Sequence, residues 1–479
     1  MQFRILSHAG LWVEHDGVSL LIDPWLFGSA YWRSWWNFPP VDEASCASLA
    51  PDFIYLTHIH WDHFHGPTLR RLAANSTILI PYVRSPRMRT DLARMGLRNV
   101  REIMHGRRVT LAAGFYLTPY VFSPLDDSVA MVEASGITLM NANDCKIIGA
   151  PLAQVLRNHP VIDFAFRSHS SANSRVLYET LPIGGQPPLD DRAAYIASFG
   201  NFMRAIRPRH AIPFASNHCH LHRETQRFNA WIVSPLDVHD ALCAHDAGSV
   251  PVQVMLPGSG WCARDGFTLA PLTLFLDRNA AIDALAAENA LRLEAAYEKE
   301  RLATLPDAVV RNYFSRVFSH VNLLFRRRFR NHPIVLRAYS GERDAAVTES
   351  FWSIDLYARG VSAATRNDWD NATARLDAPA LVLRHALQLN MFGHVSISKR
   401  VRFQATTEAL PTLRLFELLL CLEEAELIPF SGLLQLRTLR VYARRWRELL
   451  LYAQVGWLRF VRRIPFQQIE QRLLAARSK

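Results

Sequence analysis

The chain has 479 residues, 49% apolar and 20% charged; that is longer than one hydrophobic core usually serves, so two domains of a soluble globular protein are expected. The formal net charge is +11, but eleven Lys or Arg against two Glu lie from Ser431 onward, which leaves the rest near neutral and gives no reason to expect a nucleic-acid partner. No apolar run reaches the roughly 18 residues of a spanning helix, Met1 to Gly10 lacks a secretory pattern, and the six scattered cysteines have no framework spacing, so a reduced cytoplasmic setting is expected.

Residues 2–7, 11–15 and 18–23 read as short strands, with Asp16-Gly17 turning a hairpin between the last two. Asp23, before Pro24, reads as a turn cap on its own residues. The aromatic segment from Trp25 to Trp36, with Tyr31, Trp32 and Trp35, either covers a pocket or packs an irregular lobe. From Pro51 onward, β-like runs at 52–57, 77–82 and 99–104 alternate with helix-like runs at 67–74 and 88–95. That alternation predicts an α/β layer architecture. Four more β-rich runs, 108–111, 115–122, 129–133 and 137–141, fit a second sheet.

Thr57-His58-Ile59-His60-Trp61-Asp62-His63-Phe64-His65 places four imidazoles and one carboxylate directly after an apolar run. At strand spacing His58 and His60 point the same way and can reach one divalent ion, while Asp62 and His63 on the following turn can serve a second. The H-x-H-x-D-H pattern resembles the metal signature of the metallo-β-lactamase superfamily. Ile22-Asp23-Pro24-Trp25-Leu26, Trp35-Trp36, Asn141-Ala142-Asn143-Asp144-Cys145 and Pro213-Phe214-Ala215 make residues 1–275 resemble, more narrowly, the lactamase-like domain of the CMP-N-acetylneuraminate hydroxylase family.

The resemblance implies an αββα sandwich with its site at one edge and Asp23 near the metal floor. It implies Asp144 as the carboxylate bridging two ions and, counting forward from Pro213-Phe214-Ala215, His222 as a ligand of the second ion. His218 and His220 remain candidates in the same loop. It also implies a third histidine on the first ion, where this chain has Ser123; Asp126, Asp127 or His169 can substitute. Arg167, Arg175 and Lys146 lie near these ligands in sequence, where they could meet an anionic substrate or stand as surface cations.

Two divalent metal ions, iron or zinc, serve either of two enzyme classes. In a hydrolase of a phosphoester, amide or lactone, the ion pair lowers the pKa of a bound water to about 7 and Asp62 orients that nucleophile. In an oxygenase, carboxylate-rich N/O ligation with open positions suits iron, and the expectation leans this way. The resembled family feeds such a site from a Rieske centre, whose Cys-x-His and Cys-x-x-His pattern is only nearly matched by Cys243-Ala244-His245 and Cys262-Ala263-Arg264-Asp265. An oxygenase of this kind therefore needs a separate electron-transfer protein. A third class, a binding protein with a relic site, would keep its activity without His60.

After Leu276, residues 276–305 read as a helical linker and 306–479 as a mostly helical C-terminal domain, with strands near 334–338 and 351–358. The apolar runs 380–389 and 413–422 faintly resemble sterol-carrier-like modules. The tail, 433–474, interleaves Leu, Trp and Tyr with Arg. Such a helix lies on an anionic membrane, docks on a partner, or packs with a solvated arginine face.

Overall fold

The computed structural model describes residues 1–123, 126–170, 192–245, 250–464 and 466–475. Asp16 and Gly17 both take positive φ, 48° and 77°, the turn geometry that matches strand twist, and they pair Leu11–His15 with Val18–Ile22 in an antiparallel hairpin. Around it grows an eight-stranded sheet. Gln2–Ile5, Gly260–Cys262 and Gly266–Thr268 extend it on one side by antiparallel pairing, while Phe53–Tyr55, Thr77–Pro81 and Val100–Ile103 extend it by parallel pairing on the other. Parallel neighbours require crossovers, and the helices Gly66–Leu72 and Arg87–Arg94 supply two of them.

A second sheet runs His210–Pro213, Phe164–Arg167, Ile137–Asn143, Asp127–Ala134, Phe115–Phe122 and Val109–Ala112, with its first three strands parallel. Strand alternation decides how the sheets stack. Phe3, Ile5, Leu11, Val13, Leu20 and Ile22 of the first sheet meet Leu117, Val132, Leu139, Phe164 and Ile212 of the second in one dry layer. On the outer faces, Ile54, Ile78 and Ile80 pack against Leu69, Leu72, Met88 and Leu92, and Met131 and Met140 pack against Leu152, Phe199 and Phe202. Helix, sheet, sheet and helix thus form four layers, the expected αββα sandwich. Val252 adds a single bridge to Ala211 at the edge of the second sheet.

The linker run is two helices, Arg278–Glu288 and Ala290–Arg301, which meet at Asn289. Beyond it, strands Gly360–Ala363, Ala346–Asp355, Ile334–Gly341, Ala374–Pro379 and Arg402–Ala405 form a further sheet in that order. Helices Asp307–His320, Ala380–Leu389 and Leu410–Glu424 pack on it around a separate core. The two expected strands are therefore present, lengthened and joined by three more. Among the described residues no helix is long and apolar enough to cross a membrane.

Buried arginines fasten the C-terminal part to the sandwich. Arg84 donates to the carbonyls of Ala425 and Glu426, and Arg400 bonds Glu224, Glu300 and the Trp32 carbonyl. Arg445, its side chain wholly buried, bonds Glu448 at 2.8 and 2.9 Å, Asp126 at 2.6 Å and the Ser123 carbonyl at 2.8 Å. Removing one partner of a buried pair leaves the other uncompensated. Arg445→Leu should therefore lose about 3–5 kcal/mol of stability, read as a lower urea midpoint at unchanged slope; an unchanged midpoint would show these pairs to be solvated.

Candidate metal centre

Parallel strands of both sheets end at the same edge, the usual place for a site in an α/β sheet. Phe53–Tyr55 runs out into the His58 motif, Val18–Ile22 into Asp23, Ile137–Asn143 into Asp144, and His210–Pro213 into the segment carrying His218 and His220. Asp23, fully buried with φ 45°, is the joint between them. Its carboxylate accepts the Thr57 N–H (2.8 Å), the Thr57 hydroxyl (2.6 Å), the His63 Nδ1–H (2.8 Å) and the Asn143 amide.

These bonds fix tautomers. With Nδ1–H of His63 committed to Asp23, Nε2 is the nitrogen it turns toward the site. The Thr57 hydroxyl hydrogen is also committed to Asp23, so Nδ1–H of His58 donates to Thr57 Oγ1 (3.0 Å) and its Nε2 faces His60 Nδ1 at 2.9 Å. Two groups that could hold a metal ion result: His58, His60 and Asp144, and His8, Asp62 and His63. Asp144 Oδ2 lies 3.5 Å from His63 Nε2, which sets it between the groups, and Asp62 Oδ2 lies 3.4 Å from His63 Nε2 and 3.1 Å from His8 Nε2. Burial, with His63 adding, pushes His58 down to about 4, and burial with His58 does the same to His60; both imidazoles are neutral, as ligation requires. Burial opposes the charged forms of His63, Asp62 and Asp144, but their mutual attraction outweighs it, raising the imidazole and lowering both carboxyls.

The remaining expected residues separate. His222 lies in neither group: Nε2 is 3.4 Å from Glu300 and its ring lies against Tyr297. His218 stacks face to face on Trp35 at 3.7 Å, and His220 bonds the Ser34 carbonyl through Nδ1. His169 is buried, its ring pushed down to about 3 by that burial, and is likewise in neither group. Asp126 is taken by Arg445. Asp127 stands on the wall of a cavity of about 500 Å³ beside His58 and His60, and burial pushes it up to about 6.

Lys146 lines the same cavity, its Nζ donating to Ser168 Oγ at 2.9 Å. Arg167 does not; it is fully buried behind the wall, with its guanidinium 3.9 Å from the Phe202 ring centre. Arg175 falls in 171–191, outside the described residues.

Three contributors were not foreseen from the sequence. His8 sits in the turn after the first strand, where a lone histidine gives no signal. Tyr31 reaches the cavity from the aromatic segment and donates to Asp62 Oδ1 at 2.5 Å. From the C-terminal part, Gly393, Ser396, Ile397 and Glu424 line the opposite wall. There His394, buried on Glu424 at 2.6 Å, brings its ring within 5.6 Å of His60 and 5.2 Å of Trp61.

Layers, strand order and the edge position of the motif define a metallo-β-lactamase fold. No family model matches the chain. It is similar to the mouse cytidine monophosphate-N-acetylneuraminic acid hydroxylase, 30% identical over 155 residues that make up 30% of this chain and 26% of that protein. It is also similar to an inferred Rieske 2Fe-2S iron-sulfur protein of Mycobacterium tuberculosis, 25% identical over 285 residues, 54% of this chain and 53% of that one. The chain thus spans about half, or less, of the length of these relatives. Among solved structures, a mutant CmlA beta-hydroxylase aligns at a TM-score of 0.38 and 16% identity, covering 53% of this chain and 52% of that one.

If the Asp23 bonds orient both groups, Asp23→Ala should weaken metal binding about 10–100-fold, measured by competition with a chromophoric chelator. A fall confined to His8→Ala, with Asp23→Ala binding like the parent, would count against this role for Asp23.

Proposed function

We propose that the chain is a metal-dependent enzyme with a dinuclear site, His58, His60 and Asp144 serving one ion and His8, Asp62 and His63 the other, and that it is an iron-dependent oxygenase supplied with electrons by a separate protein. One observation carries the reading: each group pairs two imidazoles with one carboxylate, the ligand set that with open positions suits non-haem iron. The residues fit an ion pair. Nε2 of His8 and of His63 are buried and make no well-aligned hydrogen bond although carboxylate oxygens face them at 3.1–3.5 Å, the arrangement of ligands gathered around an ion rather than of groups bonded to one another.

When bound, the ions supply a redox-active centre for dioxygen chemistry. The chain's own residues do the rest. Asp23 and Thr57 hold the ligand tautomers, and Tyr31 keeps its hydroxyl proton on Asp62, burial and that carboxylate raising its pKa well above the usual range. Ile59, Val83, Met88 and Ile397 give the cavity apolar sides that exclude water. Lys146 is placed to meet an anionic substrate group. Asp126, Asp127 and His169 are not needed to complete either group, nor are His218, His220 and His222.

Hydroxylation puts one atom of dioxygen into a C–H bond and releases the other as water, consuming two protons and two electrons. A donor for those electrons is required. Support for a separate one comes from the Rieske description of the mycobacterial relative and from the cysteines of the near-match, Cys243 on the helix Pro235–His245 and Cys262 on the strand Gly260–Cys262, where it bonds Asp265.

A zinc-dependent hydrolase of a phosphoester, amide or lactone is the second reading. It uses the same six ligands, since zinc accepts carboxylates, and it is favoured by Asp127, a further, half-buried carboxylate able to hold a water at the cavity wall.

The purified protein should contain about two iron atoms per chain, absorb in the near ultraviolet and visible, and consume dioxygen when given reductant and substrate. His60→Ala should lose one iron and all turnover. A colourless protein holding only zinc and cleaving a phosphoester or lactone would replace the first reading with the second.

A further inference from the structure

The tail carries its apolar residues on the wrong face for a packed helix. In Leu436–Arg444, Trp446–Gly456 and the Arg445 that joins them, the inward positions are Thr438, Val441, Arg445, Glu448 and Leu451, all buried. The outward positions recur at spacings of three, four and seven residues through these helices and the Trp457–Val461 turn that follows: Leu436, Leu439, Trp446, Leu449, Leu450, Trp457 and Val461, exposed by 62, 54, 48, 45, 60, 48 and 65%. A surface helix normally turns its apolar stripe inward and its polar face out; this one buries an Arg–Glu pair and presents leucine and tryptophan to solvent. Single exposed apolar residues need no explanation, whereas a continuous stripe marks an interaction face.

Charge identifies the occupant. Arg440, Arg444, Arg459, Arg462 and Arg463 flank the stripe and are exposed. Of the tail's two glutamates, Glu448 is buried on Arg445 and Glu470 faces Arg167, so neither neutralises that surface. Arg447 lies 4.7 Å from the Trp446 ring and Arg462 lies 4.9 Å from the Trp457 ring, pairing a cation with each tryptophan. A second copy of the chain would bring two such cationic faces together across a two-fold axis, which like charge opposes. A helix with a leucine and tryptophan face between arginines instead matches the boundary of an anionic bilayer, with acyl chains for the stripe and phosphates for the guanidinium groups.

We propose that the outward face of residues 436–461 docks the protein on an anionic lipid surface. This stands apart from the metal chemistry, because the stripe points away from the sandwich and none of its residues lines the cavity.

The test is co-sedimentation of the full metal-loaded chain with vesicles of phosphatidylcholine alone or with about a third phosphatidylglycerol. The protein should pellet with the anionic vesicles only, and less so as salt shortens the screening length. The triple variant Leu449→Ser, Leu450→Ser, Trp457→Ser should lose about tenfold or more in partitioning, with unchanged circular dichroism and metal content because those side chains are exposed. A second variant, Arg440→Gln with Arg444→Gln and Arg462→Gln, should lose the preference for anionic lipid. Equal pelleting of parent and triple variant, or no pelleting of either, overturns the proposal. So does a parent that ignores vesicles but dimerises, or binds an acidic protein, through the same three residues.

Discussion

A single carboxylate without solvent contact holds the metal edge together. A buried charge is tolerated only when surrounding donors replace water, and Asp23 has four: two from Thr57, one from His63 and one from Asn143. Those donors come from different parts of the fold. Thr57 and His63 bracket the histidine motif beyond the first sheet, and Asn143 ends a strand of the second. The same bonds that neutralise the cost of burying Asp23 therefore bring the two sheets' ligands to one place and choose which nitrogen His58 and His63 present. The left-handed backbone at Asp23, one that Asp tolerates better than most residues, turns the carboxylate back under the motif.

Much of the fold was legible because its determinants are local. The Asp16-Gly17 hairpin, the alternating inward residues of the first strands and the strand–helix alternation after Pro51 all depend on neighbours in sequence. The H-x-H-x-D-H segment was legible for the same reason. What failed to show was whatever depends on distant pairing. His8 comes from a turn some fifty residues upstream of the motif and is recognisable only once Gln2–Ile5 has joined the sheet. His222 illustrates the converse: a count along a loop fixes position but no direction, and Glu300, on a helix far along the chain, claims the ring. The question raised by Ser123 has a related answer. Arg445 occupies Asp126, and each metal group reaches two imidazoles without a ligand from that turn.

The residues of the C-terminal part look ordinary in sequence. Gly393, Ser396 and Glu424 lie on amphipathic helices whose spacing speaks only of packing. Their relevance comes from the joint, where Arg84 and Arg400 set those helices across the mouth of the sandwich. The cavity consequently has walls from both parts: ligands and Lys146 on one side, Ile397 and Glu424 on the other. A pocket built this way is selective in shape through residues that carry none of the reactive groups.

The Arg445 clamp also orders events during synthesis. Translation proceeds at about 5–20 residues per second, so the histidine motif leaves the ribosome on the order of tens of seconds before Arg445 arrives to bind Asp126 and the Ser123 carbonyl. For most of that interval the helices that carry Gly393, Ser396 and Glu424 are themselves not yet made, and the nascent sandwich has its imidazoles uncovered. An ion arriving in that period would meet an open cleft and not the finished chamber, whose far wall includes Ile397 and Glu424.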